Sequence, residues 1–316
     1  MTIERVATNA QSQYLLSQIM KANAALDTTQ AQVASGKVSS DYVGIGDKTA
    51  SLEAARSAAA RADAYASNTQ LAVTQTDLQD THLTTLSSLA EQLKEAITTA
   101  VGNSNGTNLM TTAQDVFEQA SSILNSTDAN GNYIYGGGQG NSKPFTATSL
   151  SDLATGPIAS FFQNGTQKKS VLVGDGQSVQ IGVLASDIGT ELMTALNTLN
   201  LSDAPSGSLD GQLTTAQASN LSNAVLPQAT TAYTDLNTAT AANGETYSRL
   251  KDDITNQQSQ STLYKGFVSD IEDVDMTQAI TKLSENQTAL QAALEVTAKL
   301  GQLSLLNYLP ATTTTG

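Results

Sequence analysis

Apolar positions near the start of the chain recur in alternating steps of four and three. Leu15, Ile19, Ala22, Leu26, Thr29 and Val33 lie on one such stripe, which predicts a helix from Thr2 to Ser35 stopped by Gly36. The stripe is narrow and partly small or polar, so this helix needs a partner to be stable in water. At the other end, Ile280, Leu283, Leu290 and Leu294 form a seam. The phase then slips, Val296, Leu300 and Leu303 continue it, and Leu305, Leu306 and Leu309 bunch together. A final helix is expected after Gly266, from about Asp270 to Tyr308. The two terminal stripes predict pairing with each other. The last leucines exceed what one partner helix covers, and an apolar excess of that kind marks an intermolecular contact. Leu15, Ile19, Leu26, Val33, Ile280, Leu283, Leu290, Leu294, Leu300, Leu303, Leu306 and Leu309 therefore form the candidate subunit-interface set.

Between the ends the pattern changes twice. "GKVSSDYVGIGDKT" (36–49) is a break, with Asp47 the expected N-cap of a long Ala-rich helix reaching about Val101. Such a helix spans about 80 Å. Leu71, Leu78, Leu86, Leu93 and Ala100 mark its expected seam. A polar break precedes a shorter helix over about 109–126. "NGNYIYGGGQGNSKPF" (130–145) reads as a turn, a Tyr-Ile-Tyr strand and a glycine cluster. "KSVLVGDGQSVQIGV" (169–183) reads as a hairpin turning at Gly174-Asp175-Gly176. Helix returns over 187–200, then a Gly/Pro/Ser loop over 202–211, then a long helical stretch over 212–270 kinked at Pro227. The fold class expected is mainly α with a β-rich insert: a long antiparallel helical-bundle or coiled-coil rod formed by both chain ends, with a small β domain in the middle. Its parts are a terminal helix (1–40), rod helices (41–130), an outer β-rich domain (131–186), further rod helices (187–270), and a last helix with its tail (271–316).

Composition narrows the function. Of the 316 residues 39% are hydrophobic and only 4% aromatic, with no Trp, so burial rests on Ala, Leu, Val and Ile in side-by-side helices. A net charge of −14 argues against nucleic acid, which needs a basic face. The absence of cysteine fits an extracellular protein that avoids thiols. No segment approaches the ~20 apolar residues of a membrane span, so no membrane partner is expected. The start lacks the layout of a cleavable signal, so export by another route is expected.

Candidate chemistry is sparse. His82 has no converging partner at ligand spacing, and packing in a helix is the preferred reading. "GGGQGN" and "GIGDKT" read as a turn and a helix start rather than phosphate loops. The carboxylates of "DIEDVD" (270–275) fit a helix N-terminus better than a calcium loop. Tyr133, Tyr135, Phe161 and Phe162 would form either an aromatic platform for a ligand such as a carbohydrate or, preferably, part of a core. No enzymatic activity, cofactor or metal site is expected.

Both ends also carry a family resemblance. "QVASGK" (32–37) with the residues before it, and "DIEDVDMTQAITKLSENQTALQAAL" through "LSLLNYL", resemble the two ends of the flagellin superfamily. "ATAANGETYSRL" (239–250) is similar to the segment where that family's rod helices reverse. Within the superfamily the chain resembles the hook-associated protein 3 type, the hook–filament junction proteins, through "GNYIYGGGQGNSKPF", "FQNGTQKKSVLVGDGQSVQIGV" and its ending. It departs at "SSDYVGIGDKT", where the family carries prolines, and in the tail beyond Leu309. The resemblance implies a structural subunit of the bacterial flagellum, secreted unfolded through the flagellar export channel and located outside the cell at the hook–filament junction. It further implies these partners: other copies of itself in a ring, hook-associated protein 1 on the hook side, flagellin on the filament side, and an export chaperone before secretion. The alternative is a filament-forming flagellin or a flagellin-like surface protein.

Overall fold

The computed structural model describes residues 2–203 and 208–306, and side chains over 10–203 and 208–299. Internal packing divides the chain into two units, Met1–Ala60 with Ser261–Gly316, and Arg61–Gln260. The fold is mainly α, with one small two-stranded sheet in its middle.

In the first unit α1 (Thr2–Ser35) lies antiparallel to α8 (Met276–Leu306). α1 stops at Gly36, whose φ of +72° suits a residue without Cβ. Two backbone bonds then join the end of α1 to the turn before α8. The Val38 N–H donates to the Glu272 carbonyl at 2.7 Å, and the Val274 N–H donates to the Gly36 carbonyl at 2.9 Å. The final helix break differs from expectation. α7 (Leu226–Glu272) passes through Gly266 without interruption, and the turn falls at Asp273–Asp275. One glycine costs a helix only about 1 kcal/mol, whereas Asp275 accepts from the N–H groups of Thr277 and Gln278 and so starts a new helix. Asp41, not Asp47, is the cap after the first break. Its carboxylate accepts from the Gly44 N–H at 3.0 Å and starts the single turn α2 (Tyr42–Ile45). α3 (Thr49–Asn103) follows after one 3-10 turn.

Glu272 closes this end of the unit. Its side chain is only 8% exposed, with Arg56 at 2.6 Å on one carboxylate oxygen and Lys37 on the other. The Lys37 hydrogen bond, then that of Arg56, hold its carboxyl below the usual range. One buried acid thus ties the end of α7, the start of α3 and the residue after α1.

In the second unit the main core lies among α3, α4 (Leu109–Leu124), α5 (Ala185–Asp203) and α7. Leu86, Leu93 and Ala100 are buried as the heptad predicts, but Leu71 and Leu78 are exposed. The buried face in that stretch is carried by Ala72, Val73, Thr76 and Gln79 instead. Small and polar side chains face α7 there, so leucine spacing misreads the phase by one residue. Asn243 of α7 answers this polar stretch by donating to the Thr76 carbonyl at 3.0 Å. Pro227 does not stop its helix either. α6 (Thr215–Asn220) runs into a π turn at Leu221–Val225 and then α7. The wider turn relieves the missing N–H and the ring clash that a proline imposes on the preceding turn.

The insert is less β-rich than predicted. β1 (Ser170–Gly174) and β2 (Gln177–Gln180) pair antiparallel with Val171 opposite Val179, around an Asp-Gly turn in which Gly176 has φ +69°. Val173, Val179 and Ile181 bury against Ala72 and Val73 of α3 and Leu250 and Ile254 of α7. Gln257 of α7 donates to the Val173 carbonyl at 2.9 Å. The Tyr-Ile-Tyr segment makes one bridge, Thr127 to Tyr133, and then turns. Gly137 explains why: at φ +62°, with the Gln167 carbonyl 2.8 Å from where a Cβ would sit, it folds the backbone tightly over its neighbour. Tyr135 is fully buried, and its hydroxyl lies 2.9 Å from His82 Nδ1. Burial pushes the Tyr135 phenol up and the His82 imidazole down from their ordinary values.

Two outcomes follow from these groups. Glu272→Gln takes the counter-charge from Lys37 and leaves Arg56 with Glu53 alone, 3.0 Å from its guanidinium. It should destabilise the first unit by about 1–2 kcal/mol, discounted because both cations are half exposed. Hydrogen exchange at the Val38 and Val274 amides checks it: both should accelerate, while amides around Leu93 should not. For pH, His82 is neutral in the fold but titrates near 6.5 when unfolded. Its contribution is present above that value and lost as pH falls through it toward the lower folded value. Glu272, Asp41 and Asp128 are shifted down, so theirs is lost only at more acid pH, below the ordinary carboxylate value. Urea midpoints should therefore fall in two separate steps on acidification, and His82→Gln should remove the first alone.

Candidate assembly surface

The paired terminal helices carry the candidate residues. On α1 the stripe reads Leu15, Ile19, Ala22, Leu26 and Val33, all half-buried, with Thr29 buried among them. On α8 the matching stripe reads Ala279, buried, then Leu283, Asn286, Leu290, Ala293 and Thr297, half-buried, in steps of four and three. Asn286 sets the register. Its amide nitrogen donates to the Ala25 carbonyl and to Thr29 Oγ1, each at 3.3 Å. A polar pair inside an apolar seam loses its bonds if the helices slide by a turn, which makes it a register device at some cost in stability. Thr29 stays satisfied within its own helix by donating to the Ala25 and Leu26 carbonyls at 3.0 Å.

Six of the candidate residues, Leu15, Ile19, Leu26, Val33, Leu283 and Leu290, thus share the two facing stripes. Ile280 and Leu294 do not. They lie on another face of α8 and are 53% and 50% exposed. The side chains of Leu300, Leu303 and Leu306, and Leu309 entirely, lie outside the described residues.

Sequence reasoning missed a second apolar set on α1. Leu16 and Met20, one turn apart, are 59% and 64% exposed, and Tyr14 is similarly open. The signal was present, since Leu16 and Met20 are spaced i and i+4, but the stronger stripe through Leu15 and Ile19 masked it. It also missed Asn286 and Thr29 as partners, because neither is apolar. Each terminal helix therefore has one apolar face covered by the other helix and further large apolar side chains in the open. Isolated exposed leucines are ordinary. Aligned sets on both members of a pair are what an intermolecular contact requires.

Other candidates resolve as packing. Tyr135 is core, and Phe162 packs against buried Phe145 with ring centroids 5.0 Å apart and the rings tilted by 47°. Among the described residues no group of three or more His, Cys, Asp or Glu side chains is placed to hold a metal ion. Among them, too, no helix is long and apolar enough to cross a membrane.

Comparison with known proteins fits this geometry. Residues 226–309 match the family model of the bacterial flagellin C-terminal helical region. No curated protein sequence matches the chain. Among solved structures, a Vibrio parahaemolyticus protein assigned as flagellar hook-associated superposes with a TM-score of 0.58 at 14% identity, over 74% of this chain and 99% of that one. FlgL of Bacillus cereus superposes with a TM-score of 0.52 at 12% identity, over 69% of this chain and 98% of that one. At such identities the likeness speaks for the fold. Residues 226–309, which contain α7 and α8, thus match a flagellin C-terminal helical region, and the fold of the chain is similar to that of these two solved flagellar proteins.

Proposed function

We propose that the protein is a structural subunit of the bacterial flagellum acting outside the cell as adaptor between hook and filament. Its mechanism is burial. The observation that carries this reading is the second apolar set on the terminal pair: Leu16 and Met20 on α1, Ile280 and Leu294 on α8, all about half or more exposed in the single chain. Full burial of such a side chain contributes about 1.5–3 kcal/mol and covering its exposed half about half as much, from which ordering of the contact must be subtracted. Several chains arranged in a ring would cover these faces with one another. The sequence resemblance adds the neighbours: hook-associated protein 1 on the hook side, flagellin on the filament side, and an export chaperone before secretion. In the flagellum the resemblance implies that the paired terminal helices face the axis and the hairpin region faces solvent.

A second reading is supported by the match of residues 226–309 to the family model of the flagellin C-terminal helical region. A filament-forming flagellin would polymerise without limit, and an adaptor would stop at a short ring.

Cells lacking the protein test the first reading. They should carry hooks without filaments and release flagellin into the medium; filaments that still form would overturn it, and purified protein that grows into long filaments would favour the second. Leu16→Ser combined with Leu294→Ser tests the surface. Both side chains lie off the α1–α8 stripes, so the melting temperature should stay within a few degrees. Incorporation into flagella, followed by immunoblot of sheared and washed particles, should drop severely. Normal incorporation would place the interface elsewhere.

A further inference from the structure

The chain contains four Asn-Gly dipeptides, Asn105-Gly106, Asn130-Gly131, Asn164-Gly165 and Asn243-Gly244. Asn-Gly is chemically labile, because a glycine amide with no side chain beside it reaches the asparagine carboxamide easily. The fold treats the four very differently.

Three are locked. The Gly106 N–H donates to the Gly211 carbonyl at 2.7 Å, and Asn105 Oδ1 accepts from both the N–H and the hydroxyl of Thr107. The Gly165 N–H donates to the Gly136 carbonyl at 3.0 Å, and the Asn164 amide is held on both of its atoms by Ser186. Asn243 is buried inside α7 and spent on the Thr76 carbonyl, while Gly244 is helical. In each case the attacking nitrogen, the carboxamide, or both must first be released from structure that spans distant segments.

Asn130 is the exception. It and Gly131 are exposed, in a turn after α4 where Gly131 has φ +81° and nothing lies within 4 Å of where its Cβ would be. Among the described residues the Asn130 side chain makes no hydrogen bond; only its backbone N–H is used, donating to Asp128 Oδ1. The Gly131 N–H is held by the Asp128 carbonyl at 2.9 Å, a bond local to this one turn.

We propose that Asn130 is a site of spontaneous, selective deamidation. The Gly131 amide nitrogen attacks the Asn130 side-chain carbonyl carbon. A nitrogen–carbon bond forms, the bond to the carboxamide nitrogen breaks, and ammonia leaves with the proton from Gly131. Solvent water then opens the five-membered imide at either carbonyl, yielding aspartate or isoaspartate. Either product adds one negative charge to a chain already at −14. The isoaspartate product also routes the main chain through the former side chain, lengthening it by one carbon. That lengthening falls inside the loop in which Asp128 Oδ1 accepts the N–H groups of Asn130 and Asn132, both at 2.9 Å. A protein that stays outside the cell without replacement would accumulate this change, so the turn records the age of the molecule.

Peptide mapping by mass spectrometry of native full-length protein, held at mildly alkaline pH and sampled over weeks, tests this directly. An isoaspartate-specific methyltransferase label is read in parallel. Asn130 should convert faster than Asn105, Asn164 and Asn243 by about tenfold or more, the factor expected when one or two hydrogen bonds must break first. In urea all four should convert at comparable rates, and Asn130→Ser should remove nearly all native-state isoaspartate. Conversion of any other Asn-Gly pair as fast as Asn130 in the native protein would overturn the proposal. So would an unchanged Asn130 in native protein whose unfolded form converts at all four.

Discussion

Helices of 34 and 31 residues meet in this protein along a stripe that presents only one or two side chains per turn. That narrowness is the constraint from which the remainder follows. A helix with one thin apolar face gains little by itself and depends on its partner. When further apolar side chains stand outside the shared stripe, one partner is not enough. Thr29 and Asn286 spend part of the seam on register rather than on burial, which lowers the gain from pairing while fixing how the two helices meet.

The second unit is built on the opposite principle. Its core gathers buried leucines and phenylalanines around residues such as Leu93, Phe117 and Leu196, though Leu71 and Leu201 stay open on its surface. The hairpin has its own smaller cluster with α3 and α7. A chain with one self-sufficient core and one pair of under-covered helices can hold its middle folded while its ends wait for neighbours, which is the physical content of the structural role proposed. Glu272 sits at the edge of the under-covered part, where a single buried carboxylate takes up two cations from different segments.

The Asn130 turn shows how tertiary contacts redistribute chemistry that is uniform in sequence. Four identical dipeptides differ in burial, in backbone conformation and in what holds their amide nitrogens and carboxamides. Reactivity here is a matter of hydrogen bonds made to distant residues.

Local pattern alone determined the first helix to its last residue, because Gly36 and the four-three stripe are short-range signals. It determined the hairpin as well, since alternating valines around Asp175-Gly176 state both register and turn. It also placed six of the twelve candidate residues on the facing stripes of α1 and α8, because their spacing is that of a helix face. Tertiary structure decided the rest, for reasons the spacing of leucines does not contain. The face of α3 around Thr76 and Gln79 is buried because α7 supplies Asn243 opposite it. Pro227 stays within a continuous run of helix because a π turn absorbs its missing bond. Glu272 became a clasp rather than one more acid near a helix start because Lys37 and Arg56, 235 and 216 residues away in sequence, arrive beside it.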